Sequence, residues 1–478
     1  MFNQVINWFD DRVNPIAVKE LRQATNNSVI TTIMLLLLSV MLLLTYWYMN
    51  LHNVTSFDCN QRLFPYVMFI VDIACCLIII PYSANRFYNE LRGGTADLIY
   101  TTLQGPYALM WGKISSTICI IMLLYSLVVP FLAITFLFPG VNLWMVGSKI
   151  VGAFLTYVFF LQLLFLLATG SSNIISFRII LLLYIGFVGY LVIYEFNLDR
   201  YSSFNGILNF LENTIPFIFL WGFFFIASAC SLKTPQANKA LALRLYVAVC
   251  WILSLAVAFG FVFFEHYDYA RSFSEVWMTL SVIFTLFFLA ASFGERSEYN
   301  ERLKRSIPEN KMLRVLYFPF FSGDVNGMIF SLLLLILTVL IYQLTYFGGY
   351  NDSTQVVLGL AGYTVWYGML ARIIRRATVK RFPKLKMPYI LLIIIFFFTV
   401  IPVLIFGALN NGFNYNLQKI WKFLYLSILI VIDKESRLIG LQIGWGLSLL
   451  FLLFSLKGYI LQIKGFKPLK ESVSRNKT

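Results

Sequence analysis

Residues 29–49 read VITTIMLLLLSVMLLLTYWYM, an apolar run without a single charged side chain. A helix needs about 20 such residues to cross the hydrocarbon of a bilayer. Runs of this kind recur along the whole chain. The sequence predicts spans at 29–49, 64–83, 114–138, 144–168, 177–196, 213–232, 245–265, 275–293, 326–346, 356–371, 389–409 and 438–456. They are long and continuously apolar, with none of the ten-residue alternation of a membrane β-barrel, so they are read as helices. Composition agrees: 59% of the 478 residues are hydrophobic and only 12% are charged. A soluble domain carries about 25% charged residues, so a soluble enzyme is excluded.

The charge balance orients these spans. The chain holds 37 Lys and Arg against 22 Asp and Glu, a formal charge of +15. With the N-terminus in the cytoplasm, 28 of the basic residues fall in inside segments, seven in outside loops, and Lys149 and Arg178 within predicted spans. Such a bias is the positive-inside pattern, and both termini are predicted to be cytoplasmic. The same bias explains the basic composition without any nucleic-acid partner. The span starts also repeat: the first six are followed by six more at offsets of 211 to 225 residues. The predicted fold is an all-α polytopic membrane protein of about twelve transmembrane helices, built as two parallel six-helix halves. The expected divisions are an interfacial segment at 1–28, a first half at 29–240, a second half at 241–456 and a basic tail at 457–478. The apolar stretch 419–432 has 14 residues, too short to span, and reads as re-entrant or interfacial.

Few residue types suited to chemistry are present. The two histidines, His52 and His266, fall in predicted outside loops, which argues against haem and against a His-ligated metal. Of six cysteines only Cys59 falls in a predicted outside loop, so no outside disulfide within the chain is expected. There is no G-x-x-x-x-G-K-[ST] phosphate loop, and no hydrolytic triad or paired catalytic carboxylates are visible. No catalytic residue, metal or cofactor is expected. Asp72 and Gln162 lie within spans. An ionisable side chain at membrane depth is by default a functional candidate, and the alternative is a structural hydrogen bond to a neighbouring helix. Gly440-x-x-x-Gly444 is a small-residue pair that one such occurrence does not raise above chance. The seven basic residues between Arg372 and Lys386 read as topological anchors or as a site for anionic lipid.

Two non-spanning segments stand out. Residues 2–24 place Phe2, Val5, Ile6, Phe9, Val13, Ile16 and Ala17 at helix-like intervals among charges, which fits a helix lying in the cytoplasmic interface, broken at Asn14-Pro15. The inside loop 84–113 reads ANRFYNELRGGTADLIYTTLQGPYALMWGK. It mixes charged and apolar residues and predicts short helices against the inner membrane face, suited to docking a cytoplasmic partner; the alternative is a solvated connector.

This loop resembles the signature of ATP-binding-cassette permeases of the type-2 class. Glu90, Gly94, Thr95, Asp97, Leu98, Thr102, Gly112 and Lys113 fit the order of that pattern, with Leu91 where the family usually has Arg and Leu103 where it has Pro. The segment Asn14 to Arg22 is similar to the family's amphipathic lead-in, so the resemblance covers residues 14–113. It implies a permease, expected to be an exporter of the plasma membrane, whose ATP is bound by a separate cytoplasmic ATPase; the chain either forms the permease alone or pairs with a second permease. Loop 84–113 would hold the coupling helix, with Glu90 and Arg92 making polar contacts to the ATPase and Thr95, Asp97 and Leu98 capping and packing it. Gly112 and Lys113 would mark the entry to the third helix, with Lys113 at the headgroups. Loop 294–325 occupies the matching place in the second half but lacks the motif. Two rival readings are a secondary transporter of the major facilitator type and a membrane enzyme acting on lipid-linked substrates. The 30-residue loop 84–113 and the short central loop 233–244 count against the first. The second would want acids and histidines at one membrane face.

Overall fold

The computed structural model describes residues 14–51, 57–93, 105–136, 143–171, 173–199, 206–234, 237–263, 299–345, 352–378, 390, 393–394, 396–400 and 437–468. Among them the secondary structure is helical, with short turns between helices and no strand. The chain forms two compact units, Met1–Lys233 and Thr234–Thr478.

The first unit begins with α1 (Pro15–Thr25), α2 (Ser28–Leu51) and α3 (Phe57–Asp72). A π-helical segment, Ile73–Ile79, then leads without a break into α4 (Ile80–Arg92). It continues with α5 (Pro106–Phe136), α6 (Leu143–Gly170), α7 (Ile174–Asp199) and α8 (Gly206–Ser231). The second unit holds α9 (Ala240–Phe263), the short α10 (Glu301–Arg305) and α11 (Lys311–Tyr317), and a 3-10 turn, Phe318–Phe320. Then come α12 (Asp324–Thr345), α13 (Asp352–Thr378), a π segment at Phe396–Val400 and α14 (Arg437–Gly465).

Five stretches among the described residues are long and apolar enough to cross a membrane: Ser28–Tyr48, Leu63–Arg92, Pro106–Thr135, Val146–Gly170 and Ile174–Ile193. The bent pair Lys311–Phe320 and Asp324–Leu340 would make a sixth. Their outward surfaces are apolar, as at Leu35, Leu43, Leu182, Leu183 and Phe187, each more than half exposed. In water such continuous apolar surface would be unfavourable; in lipid it is the solvated face. Expected spans 275–293 and most of 389–409 lie outside the described residues, as does the stretch 419–432.

Several boundaries differ from the sequence reading: the last helix runs to Gly465, into the expected tail at 457–478, and two more changes fall at loop 84–113. The second span does not end at residue 83 but runs helically to Arg92, and the third begins at Pro106 rather than 114. The described part of loop 84–113 is therefore mostly the ends of two membrane helices. The 30 residues from Leu63 to Arg92 reach about 45 Å, some 15 Å more than the hydrocarbon is thick. The apolar count located only the most apolar part of this helix. Cys59, expected in a loop, falls within α3.

Each unit has its own apolar core. In the first, Met41, Val67, Cys75, Ile80, Met110, Ile114, Leu124, Leu161 and Phe165 are buried together. In the second, Tyr363, Trp366, Tyr367, Val325, Phe321 and Phe466 form the centre. There α13 and α14 cross at Gly362 and Gly444. A Cβ on Gly362 would lie 3.1 Å from the Trp445 nitrogen, and one on Gly444 would lie 3.0 Å from the Tyr363 ring. Ser448 Oγ donates to the Gly362 carbonyl at 2.7 Å across the crossing. Gly444, dismissed in the sequence as near chance, is thus a close-packing residue.

Candidate coupling site at the ends of the second and third membrane helices

The site is built from three elements: α1, the end of α4 and the start of α5. Asn14 starts α1. Its side-chain oxygen accepts from the Ile16 amide at 3.0 Å, and Pro15 occupies the first helical position, where a missing N–H costs nothing. The Asn14 amide nitrogen in turn donates to the Ala108 carbonyl in the first turn of α5 at 2.5 Å. One side chain therefore caps α1 and ties it to α5.

The two helices touch at Gly112. A Cβ there would stand 2.8 Å from Ile16 Cβ and 3.0 Å from Asn14 Nδ2, closer than side chains pack. The buried face of α1 carries Ala17, Glu20 and Ala24, spaced three and four apart on one side of the helix. Two of these are small. The third is a carboxylate facing inward, and it needs a partner there.

Glu20 finds two. Lys113 Nζ lies 2.5 Å from Glu20 Oε1, and the Arg86 guanidinium lies 3.1 Å from Glu20 Oε2. Lys113 also bonds Glu90, and Arg86 reaches Glu90 Oε1 at 3.6 Å one helical turn away. Arg86 further donates to Gln23 of α1. Two acids and two bases thus close into a network of zero net charge. The Glu20 and Lys113 side chains are both 7% exposed, whereas Glu90 and Arg86 reach solvent at 20% and 22%. Lys113 also lies 5.7 Å from the Phe87 ring centroid.

Beside this network Arg92, at the last turn of α4, donates to the Ser171 carbonyl at 2.5 Å, just past the end of α6. A cation at a helix C-terminus meets unpaired carbonyls and the negative end of the dipole. Tyr88 stacks on Phe177 of α7 with centroids 4.4 Å apart. The end of α4 is therefore held from four sides, by α1, α5, α6 and α7.

Of the expected coupling residues, the structure brings Glu90, Gly112 and Lys113 together and sets Arg92 close by. Gly94, Thr95, Asp97 and Leu98 lie outside the described residues. The structure gives three of these side chains another setting than the sequence reading did. Glu90 and Arg92 already hold partners within the chain. Lys113, expected at the headgroups, is buried, with two carboxylates compensating its charge locally. Glu20 and Arg86 were missed as site residues. The signal for Glu20 was legible: a lone acid on the small-residue face of an amphipathic helix.

Asp72 sits where α3 passes into the π segment. Tyr157 of α6 donates its hydroxyl to the Asp72 carboxylate, and Tyr125 of α5 donates to the Tyr157 oxygen at 3.2 Å. The π segment widens the helix by one residue per turn and shifts its carbonyls out of register. Tyr184 of α7 donates to the Cys76 carbonyl of this segment at 3.2 Å. Gln162 is 1% exposed, and its amide nitrogen and oxygen have no hydrogen-bond partner among the described residues. Five residues separate it from Tyr157, which puts it about 140° around α6 from the residue that meets Asp72. Asp72 and Gln162 are thus two places, not one site.

Arg372, read as the start of a basic anchor, is buried in the second unit and paired with Asp324 at the start of α12. Its position beside an acid, not its basic neighbours in sequence, decides its role. Comparison with protein-family models, with curated proteins and with solved structures found no match.

Proposed function

We propose that the chain is the membrane-spanning permease of an ATP-driven transporter of the type-2 ATP-binding-cassette class, an exporter whose ATPase is a separate cytoplasmic chain. In this reading the protein spans the membrane twelve times with both termini in the cytoplasm and performs no bond chemistry. The observation that carries it is the Glu20–Arg86–Lys113–Glu90 network. It joins the lead-in helix and both ends of the motif-bearing loop into one body at the tip of the second and third membrane helices. A force on residues 94–104 would then move α4 and α5 together rather than bend one against the other. Such a joint suits alternating access driven from a docked ATPase, with Gly94, Thr95, Asp97 and Leu98 on the docking side. Purified alone, the chain should hydrolyse no ATP. It should co-purify with a cytoplasmic ATPase, and charge reversal at Asp97 should lower that recovery with expression unchanged. An impermeant thiol reagent should label Cys59 from outside while tags on both termini stay protected; outside labelling of a C-terminal tag would refute the twelve-span topology.

One observation favours a secondary transporter of the major facilitator type. Asp72 is a membrane-depth carboxylate bonded by a tyrosine hydroxyl, an arrangement suited to ion coupling. Transport by the reconstituted chain alone, driven by an ion gradient, would decide for that reading.

A further inference from the structure

The second unit carries an apolar groove that the coupling reading does not use. It runs between α9, α11 and α12 and encloses about 350 Å³. Trp251 and Ile252 of α9, Leu316 of α11 and Phe330, Leu334 and Leu337 of α12 are among its walls. Trp251 Nε1 donates to Thr338 Oγ1 at 3.3 Å, which spends the one polar group of that side chain and leaves its ring to the groove.

The groove continues the outward apolar surface. Ile252 and Leu253 on one bank are 66% and 59% exposed, and Ile336 and Leu340 on the other are 55% and 49% exposed. The 22 residues of α12 reach about 33 Å, enough to cross the hydrocarbon. The segment Lys311–Phe320 turns from it by 85°, so α11 lies in the membrane plane when α12 crosses it. On α11, Met312, Val315 and Leu316 are 84%, 76% and 66% exposed, a face that water would not favour and lipid would. The turn is fastened from α9: Arg244 donates to the carbonyls of Pro319 at 2.9 Å and Phe321 at 2.5 Å, and it stands over the Phe330 ring at 5.9 Å.

Charge surrounds the same element. Arg302, Lys304 and Arg305 precede α11 on α10, and Lys311 and Arg314 lie on α11 itself. Against them stand Glu301 and Glu309. Basic side chains beside an in-plane apolar helix attract anionic headgroups, while the groove takes the chain below.

We propose that this groove is a binding site for an anionic phospholipid, with one acyl chain between α9 and α12 and the headgroup among the basic residues of α10 and α11. The inference rests on the membrane placement of α12 and not on any ATPase. It is tested with phosphatidylglycerol that carries a photoreactive diazirine in its acyl chain. The lipid is mixed with the full chain in nanodiscs, and adducts are mapped by peptide mass spectrometry. Adducts should concentrate on 248–252 and 330–337. Phosphatidylcholine with the same labelled chain should give fewer. Leu337→Trp sits at a half-exposed position and should fold. It should reduce groove adducts roughly tenfold, the loss expected from excluding about two CH2 groups. Leu453→Trp, on the exposed face of α14, should leave them unchanged. Adducts spread evenly over α2, α7 and α14 and insensitive to Leu337→Trp would mean a general lipid shell and overturn the site. Equal labelling by the two lipids would overturn its headgroup preference. A Val315→Cys variant whose thiol reacts freely with a water-soluble maleimide in vesicles would place α11 in water, open to a protein partner, and would overturn the proposal as a whole.

Discussion

Replacing Lys113 with Met keeps the length and packing of the stem but deletes its charge. Lys113 is 2.5 Å from Glu20 and bonded to Glu90 as well, and both Lys113 and Glu20 are 7% exposed. Removing one member of a buried pair costs about 3–5 kcal/mol, because the other is left buried and uncompensated. Two facts lower the figure here. Arg86 remains 3.1 Å from Glu20 and 3.6 Å from Glu90, and Glu90 is 20% exposed and can hydrate. We expect a loss of about 2–3 kcal/mol for Lys113→Met. Glu20→Leu should cost a similar amount, since it leaves two cations sharing one acid. The double variant restores neutrality, with Arg86 and Glu90 as the remaining pair. Its loss should fall short of the sum of the two by about 1–3 kcal/mol. The assay is unfolding of the purified chain in mixed micelles titrated with SDS, followed by tryptophan fluorescence, on all four members of the cycle. Additive losses would refute the network as a unit. A Lys113→Met variant within about 0.5 kcal/mol of the parent, the range of an ordinary surface change, would refute the burial argument itself.

Three other outcomes follow from the geometry. Gly112→Ala should loosen α1 from α5 at a cost of about 1–3 kcal/mol, because its Cβ would stand 2.8 Å from Ile16 Cβ; faster proteolysis near residue 14 would report it, and Ile16→Ala should restore the parent rate. Asp72→Asn should transport and fold better than Asp72→Leu, since Asn can still accept from Tyr157; equal, parent-like behaviour of both would make Asp72 a tolerated polar residue. Arg372→Met alone should destabilise the second unit by about 3–5 kcal/mol, and adding Asp324→Leu should recover most of the loss, read in the same SDS titration.

How far the site was legible depends on the range of each signal. The Asn14-Pro15 start of α1 was readable, since a cap is a contact between near neighbours, although residues 1–13 of that segment lie outside the described residues. Glu90, Gly112 and Lys113 were found through the order of a motif, not through their contacts. Gly444 was passed over because one small-residue pair carries little information until the facing helix is known. It is Tyr363 and Gly362 across the crossing that make it necessary.

The sequence by itself determined an all-helical chain with helices long and apolar enough to cross a membrane. Long uncharged runs have one economical solution in lipid, where each backbone group must bond within its own segment. It also determined roughly where five of those helices lie, because the apolar count tracks the hydrocarbon thickness. Tertiary structure alone decided which charges meet. Lys113 and Glu20 are 93 residues apart, and Arg372 and Asp324 are 48 apart. Their pairing depends on the rotation and crossing of whole helices, which no local preference encodes. The same packing brought the ends of α4 and α5 against α1 to build the joint. It also made Lys113, which the resemblance placed at the headgroups, the buried centre of that joint.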